Sequence, residues 1–186
     1  MGENAKMYEW SSQALVEQYS SMVFRVALTA CGSRAEAEDL MQEVFLRLVQ
    51  TRPDFSSAEH AKAWLLRVTM NCCASLGRSV WKRRVGSLDE WRDYRDATTD
   101  SKKGSANADE PAAALDASQQ RTDVLSAVAK LPPKQRLCVH LFYFEEQSIA
   151  EISTLTSWPT STVKSHLRRG RSNLRATLSE EYDYDN

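Results

Sequence analysis

Apolar residues in this chain recur at three- and four-residue intervals almost everywhere, and that constrains the fold more than any other feature. Leu15, Tyr19, Met22, Val23, Val26 and Ala30 form one such series. Leu40, Val44, Phe45 and Leu48 form a second, and Ala61, Trp64, Leu65 and Val68 a third. Val124, Leu125, Val128 and Leu131 resume the pattern, followed by Leu137, Leu141 and Phe142. This is the 3.6-residue period of helices that bury one stripe, whereas strands would alternate every second residue. The chain is therefore expected to be all-α.

Stop and start signals divide the pattern into elements. Gly32 ends the first helix, and Ser33-Arg34-Ala35-Glu36 has the form of a capping box for the second. Pro53 closes that region, since proline supplies no backbone donor and disfavours helix before it. A third helix is expected to begin near Ser56 or Ser57, with Ser56 to Glu59 as another capping box, a break near Asn71 and a fourth helix from about Cys72 to Lys82-Arg83-Arg84. Pro132-Pro133 separates the next two helices. Ser148-Ile149-Ala150-Glu151 caps a short helix, Thr156-Ser157-Trp158-Pro159 makes a turn, and a last helix is expected from about Thr160 to Leu178. Glu180 to Asn186 reads as a frayed acidic end.

Between about Gly86 and Ala117 the periodicity disappears. The segment is polar and acidic, with Asp93, Asp96, Asp100, Asp109 and Glu110. It reads as a flexible acidic linker, with Trp91 and Tyr94 as candidate docking points. The expected organisation is two small helical domains, residues 10–85 and 118–180, joined by a linker over 86–117. No internal repeat is visible.

The cysteines Cys31, Cys72, Cys73 and Cys138 form no C-x-x-C pair, and His60, His140 and His166 are scattered. No metal or other cofactor is expected, and adjacent Cys72 and Cys73 read as small apolar filler. No apolar run reaches the roughly 18 residues of a membrane span, so no membrane insertion is expected and the default location is cytoplasmic. No nucleophile–base pair, phosphate loop or metal spacing suggests an enzyme.

The net charge of −1 conceals an uneven distribution. On the last helix Val163, Leu167, Gly170, Leu174 and Leu178 fall on one stripe. Gly170 would let a neighbouring helix come close. Lys164, Arg168, Arg171 and Arg175 fall on another, with Ser165, Arg169 and Ser172 beside it. A short capped helix, a turn and a long helix with a basic face make a helix-turn-helix, whose second helix fits the DNA major groove. Lys164, Ser165 and Arg168 are placed for base edges, and Arg169, Arg171 and Arg175 for phosphates. A solvated basic face is the plainer alternative.

Four motifs carry a resemblance. Ala37-Glu38-Asp39-Leu40-Met41-Gln42-Glu43-Val44-Phe45 resembles the A-E-D-x-x-Q-E-x-F helix of sigma-70 family proteins. Trp64-Leu65-Leu66-Arg67-Val68-Thr69-Met70-Asn71 resembles the W-L-x-R-I-x-x-N segment of the ECF (extracytoplasmic function) group. Leu131-Pro132-Pro133-Lys134-Gln135-Arg136 resembles the L-P-x-x-x-R opening of that group's C-terminal domain, and Thr162 to Arg171 its recognition helix. The four occur in the family's order.

The resemblance implies a transcription initiation factor with two partners, core RNA polymerase and promoter DNA, and a third in an anti-sigma factor. It implies that Asp39, Gln42, Glu43, Phe45 and Leu46 bind core polymerase. It implies that Asn71 and Ser75 line a pocket for a flipped base of the −10 element, flanked by Arg67, Arg78, Lys82, Arg83 and Arg84. It places Lys164, Ser165, His166, Arg168, Arg169 and Arg171 at the −35 element. The linker would thread through the polymerase. Trp64 is expected in the core. The sequence departs from the family's pattern at Ser157 and Ser161, where glycine is frequent, at His166 for a common arginine, and at Gly170 for a common alanine. The other class to weigh is a stand-alone helix-turn-helix regulator, and binding to core polymerase discriminates the two.

Overall fold

The computed structural model describes residues 11–80 and 123–183, which fall into two compact units separated near Gly86. Among the described residues there are seven helices and no strand, as the all-α expectation requires. The linker, with Trp91 and Tyr94, lies outside the described residues, as do Lys82, Arg83 and Arg84.

The first unit holds α1 (Ser12–Cys31), α2 (Arg34–Thr51) and α3 (Ala58–Val80), all three in mutual contact. Ser11 caps α1 by accepting from the Ala14 N–H at 3.2 Å. Gly32 ends it with φ 74°, where its N–H donates to Leu28 O. That left-handed turn costs glycine nothing. The C-terminal half of α1 is buried all round, from Val26 to Ala30, because α2 and α3 cover it from different sides. Its buried Thr29 donates to Arg25 O, and Thr69 of α3 donates to Leu65 O, so neither hydroxyl is left unsatisfied. Burying Leu15, Leu28, Leu48, Leu65 and Leu66 stabilises the unit by about 1.5–3 kcal/mol per side chain. Tyr19 reaches across to donate to Ala58 O at 3.3 Å. Burial, and then the Glu59 carboxylate, raise its phenol, which keeps the proton for that bond.

Several sequence expectations need correction here. α3 runs unbroken through Asn71, so the expected third and fourth helices are one. An asparagine costs a helix well under about 1 kcal/mol, and Met70 and Cys72 beside it are buried and hold the helix to the core. Ser33 precedes α2 in extended conformation but makes no side-chain cap. α3 starts after Ser57, one of the two serines expected to open it, but the pairing is not the Ser56–Glu59 box: Ser57 Oγ accepts from the His60 N–H at 3.2 Å, and His60 Nδ1 accepts from the Ser56 N–H at 3.4 Å. Trp64 is only half-buried, edge-on to the buried Phe55 at 5.9 Å, because Ala61, Leu65 and Leu66 already fill the interface. Phe45 is likewise half-buried, and Ala37, Leu40, Val44 and Leu48 form the inner stripe of α2.

The second unit holds α4 (residues 123–130), α5 (Pro133–Tyr143), α6 (Ile149–Thr156) and α7 (Thr160–Asp183). Pro133 opens α5 at its first turn. Arg136, buried in spite of its charge, donates to the carbonyls of Ala129 and Leu131, the orphan acceptors at the end of α4. The arginine of the L-P-x-x-x-R motif is thus a latch between two helices. Ser148 and Glu151 form the reciprocal capping box at α6, at 3.2 and 2.7 Å. α7 continues to Asp183, five residues past the expected end at Leu178 and into the segment read as frayed. A buried polar pair completes the unit, with His140 Nε2 at 3.4 Å from Glu145 Oε1 and Phe144 stacked on the imidazole at 5.2 Å.

Candidate nucleic-acid and polymerase interfaces

Three surfaces gather the residues singled out by sequence. On α2, Asp39, Gln42 and Leu46 are exposed along one face, opposite the inner stripe. Glu43 lies beside them, paired with Arg47 at 2.7 Å. Leu46 is 51% exposed and Val49, one turn on, is 47% exposed. An apolar pair left in water at helical spacing, rimmed by polar side chains, is what a helix presents to a groove on a partner. Half-buried Phe45 flanks it. Val49 was not among the residues picked from the sequence, because its period matches the polar face rather than the core.

On α3, Arg67, Asn71 and Ser75 stand four residues apart, all exposed on one stripe. The continuity of the helix creates that stripe, since a break at Asn71 would have pointed Arg67 and Ser75 in different directions. An asparagine inside a continuous helix caps neither end of it. The Ser75 hydroxyl donates to Cys72 O at 2.8 Å, which leaves its lone pairs to accept from a ligand. Half-buried Trp64 sits one turn before Arg67, so its ring borders the same face. Arg78 is on α3, but its side chain lies outside the described residues.

In the second unit α6, the turn and α7 form the helix-turn-helix. The turn is held by Ser157 at φ 56°, by Ser153 Oγ donating to Trp158 O at 2.6 Å, and by the Trp158 N–H donating to Thr156 Oγ1 at 3.3 Å. α7 starts as the N–H groups of Thr162 and Val163 close on Pro159 O. Val163 and Leu167 are fully buried, Gly170 is buried, and Leu174 and Leu178 are half-covered. A Cβ on Gly170 would lie 2.9 Å from Val139 Cγ2, so the missing side chain lets α7 seat on α5.

The opposite face carries Lys164, Arg168, Arg169, Arg171 and Arg175, all exposed. None forms an ion pair among the described residues, and the Arg171 Nε–H donates only to Leu167 O of its own helix. Ser165 and His166 are half-buried beside them. The His166 ring is tilted against Trp158 at 5.4 Å, and the Lys134 ammonium lies 5.6 Å from the centre of the Trp158 ring. Burial, then Lys134, then Arg169 hold the His166 imidazolium below its usual range. Lys134 and Trp158 are members of this surface that the sequence reading passed over. Lys134 belongs to the motif opening α5, and only packing brings it to the recognition helix.

The remaining chemistry is sparse. Among the described residues no group of three His, Cys, Asp or Glu could hold a metal ion. Burial pushes the Cys138 thiol up to about 11 and raises Cys72 and Cys73, so these sulfurs pack as neutral thiols. No helix among the described residues is long and apolar enough to cross a membrane.

Comparison with known proteins gives the chain a family. Residues 15–83 match the family Sigma-70 region 2, and residues 121–174 match Sigma-70, region 4. The ECF RNA polymerase sigma factor SigL of Mycobacterium tuberculosis is 33% identical over 171 residues, covering 90% of this chain and 89% of SigL. The ECF RNA polymerase sigma factor SigE of Mycolicibacterium smegmatis is 30% identical over 96% of this chain, which spans 65% of that protein's length. SigW of Bacillus subtilis is 27% identical over 89% of this chain and 88% of SigW. Among solved structures, the sigma factor RpoE of Bartonella quintana, in complex with the anti-sigma factor NepR, superposes with a TM-score of 0.55. That match covers 90% of this chain and 96% of RpoE at 22% identity, a likeness of fold.

Proposed function

The chain belongs to the ECF group of RNA polymerase sigma factors, and from that premise we propose how its surfaces divide the work of promoter-directed initiation. The face of α2 with Asp39, Gln42, Glu43, Phe45 and Leu46 binds core polymerase. The α3 stripe reads the −10 element. The basic face of α7 reads the −35 element. The protein contributes recognition and no catalysis of its own, acts on DNA and polymerase in the cytoplasm, and is held in check by an anti-sigma factor, as RpoE is bound by NepR.

The observation that carries this reading is the run of exposed cations on α7, which no carboxylate among the described residues offsets, on the second helix of a helix-turn-helix. Cations without a carboxylate partner among the described residues suit phosphates, whose neutralisation dominates affinity for duplex DNA. Lys164 and Arg168 stand in the N-terminal part of the helix, the part that meets base edges in the major groove. On α3, Asn71 offers an amide that can pair with a base edge, and extruding a base from the stack costs only a few kcal/mol. Arg67 supplies positive charge along the same stripe, and Trp64 borders it with a surface on which a base can stack.

Each reader alone contacts a short site. Held together on one core enzyme they act as a bivalent reader, whose affinity exceeds that of either half. The free chain should therefore bind promoter DNA poorly and the holoenzyme well. Binding of labelled promoter duplex with and without core polymerase tests this, and equal affinity in both states would refute it.

A further inference from the structure

His166 lies half-buried on α7 beside the exposed cations, and its surroundings give it a property that a permanently charged side chain lacks. Its Nδ1 is buried with no hydrogen-bond partner, so Nε2 is the nitrogen that a ligand can reach. The ring leans on Trp158, whose face also carries the Lys134 ammonium. Among the described residues the charged groups acting on it are Lys134 from α5 and Arg169 from its own helix, and α6 contributes none. A proton on His166 would place a third positive charge beside two others, partly out of water, with no acid among the described residues to offset it and with an Nδ1–H left without an acceptor, so only a strong counter-charge at Nε2 favours it.

We propose that His166 is a proton-linked phosphate contact, neutral in the free protein and taking one proton from solvent when a DNA phosphate seats against Lys134, Arg169 and its own ring. The inference rests on the reading of α7 as the −35 helix. A phosphate reverses the local field. Two cations that repel a third charge in the free protein become, with the anion between them, a site that favours it. Trp158 is the positioning residue, because it holds both the imidazole and the Lys134 ammonium at the entrance of the recognition helix. DNA backbone binding would thereby extend beyond the helix-turn-helix to α5.

The sign follows from linkage. The bound state holds more protons than the free state, so affinity for −35 DNA rises as pH falls through the histidine range. An arginine at this position would give a constant charge and no such dependence.

The test is binding of holoenzyme to a duplex carrying the −35 element alone, at constant ionic strength, between about pH 8 and about pH 6. The wild type should gain about threefold or more in affinity as pH falls, within the limit of tenfold per pH unit for one proton. His166→Gln should lose that gain. His166→Arg should bind at least as tightly as the wild type at the higher pH, and with the flat profile of the glutamine variant. The comparison with His166→Gln removes contributions from His140 and from the polymerase, and thermal melts verify that each variant is folded. Should glutamine disturb the contact with Trp158, His166→Asn and the arginine variant carry the same comparison. An unchanged pH profile in the variants, or no pH dependence in the wild type, would overturn the proposal. Failure of the wild type to bind −35 DNA at any pH would instead sink the reading of α7.

Discussion

Gly170 and Val139 meet so closely that a Cβ on the glycine would stand 2.9 Å from Val139 Cγ2. That approach seats the recognition helix on α5, and Asn173 secures it by donating to Gln135 Oε1 at 2.9 Å. Glycine inside a helix ordinarily costs about 1 kcal/mol relative to alanine. Here the crowding reverses the ordinary result. Gly170→Ala should destabilise the protein by about 1 kcal/mol, since overpacking costs about 1–3 kcal/mol and outweighs the gain in propensity. In a Val139→Ala background the same change should stabilise. Denaturant melts of the four proteins in the cycle measure the coupling, and additive effects would contradict the contact.

Ser157 holds the turn at φ 56°, a left-handed conformation that costs a residue with a side chain about 1–2 kcal/mol. Ser157→Gly should raise stability by about 0.5–1 kcal/mol after the greater freedom of glycine in the unfolded chain is subtracted. Ser157→Val should lower it. A loss of stability on Ser157→Gly would mean that the serine side chain holds the turn in some further way.

Asn71 is exposed in the middle of α3 and caps nothing. Asn71→Ala should therefore leave stability unchanged or raise it by a few tenths of a kcal/mol, from helix propensity. It should still impair opening of the −10 element, while binding to the −35 element stays intact. Permanganate footprinting of the open complex, beside a thermal melt, separates the two effects. Normal opening by the variant would remove Asn71 from the −10 reader.

The capping box of α6 gives a pH dependence of stability. Hydrogen bonds from the Ser148 side chain, then from its backbone N–H, lower the Glu151 carboxyl below its ordinary value. A carboxyl lowered in the folded state contributes stability that is present above its unfolded pKa and is lost as pH falls through the folded value. Ser148→Ala should cost about 1 kcal/mol near neutral pH, and the cost should shrink under acid conditions where Glu151 is protonated. Denaturant midpoints at both pH values check this. A cost that is the same at both would separate Glu151 from the cap.

Much of this organisation was legible in the residues. The stripes of α1 and α2, the Pro132-Pro133 junction, the capping box at Ser148 and the two faces of α7 follow from period and turn chemistry. The errors have local causes. Asn71 reads as a breaker by propensity, but Met70 and Cys72 are buried on either side and packing overrules so small a penalty. Trp64 and Phe45 are apolar and in period, yet smaller neighbours fill the interface first, which leaves both rings at the edges of surfaces assigned to partners. Lys134 and Trp158 joined the site only through packing of α5 beside the turn, which no local pattern records. Arg136 is legible in the sequence only as part of a motif, and its burial on two carbonyls is a matter of packing.

This chain is expected to make core polymerase selective for promoters. Run-off transcription by purified core on fragmented genomic DNA, with and without the full chain, tests it most directly. New and discrete start sites are expected that appear only with the chain and share paired −35 and −10 sequences. Start sites identical with and without the chain would contradict it.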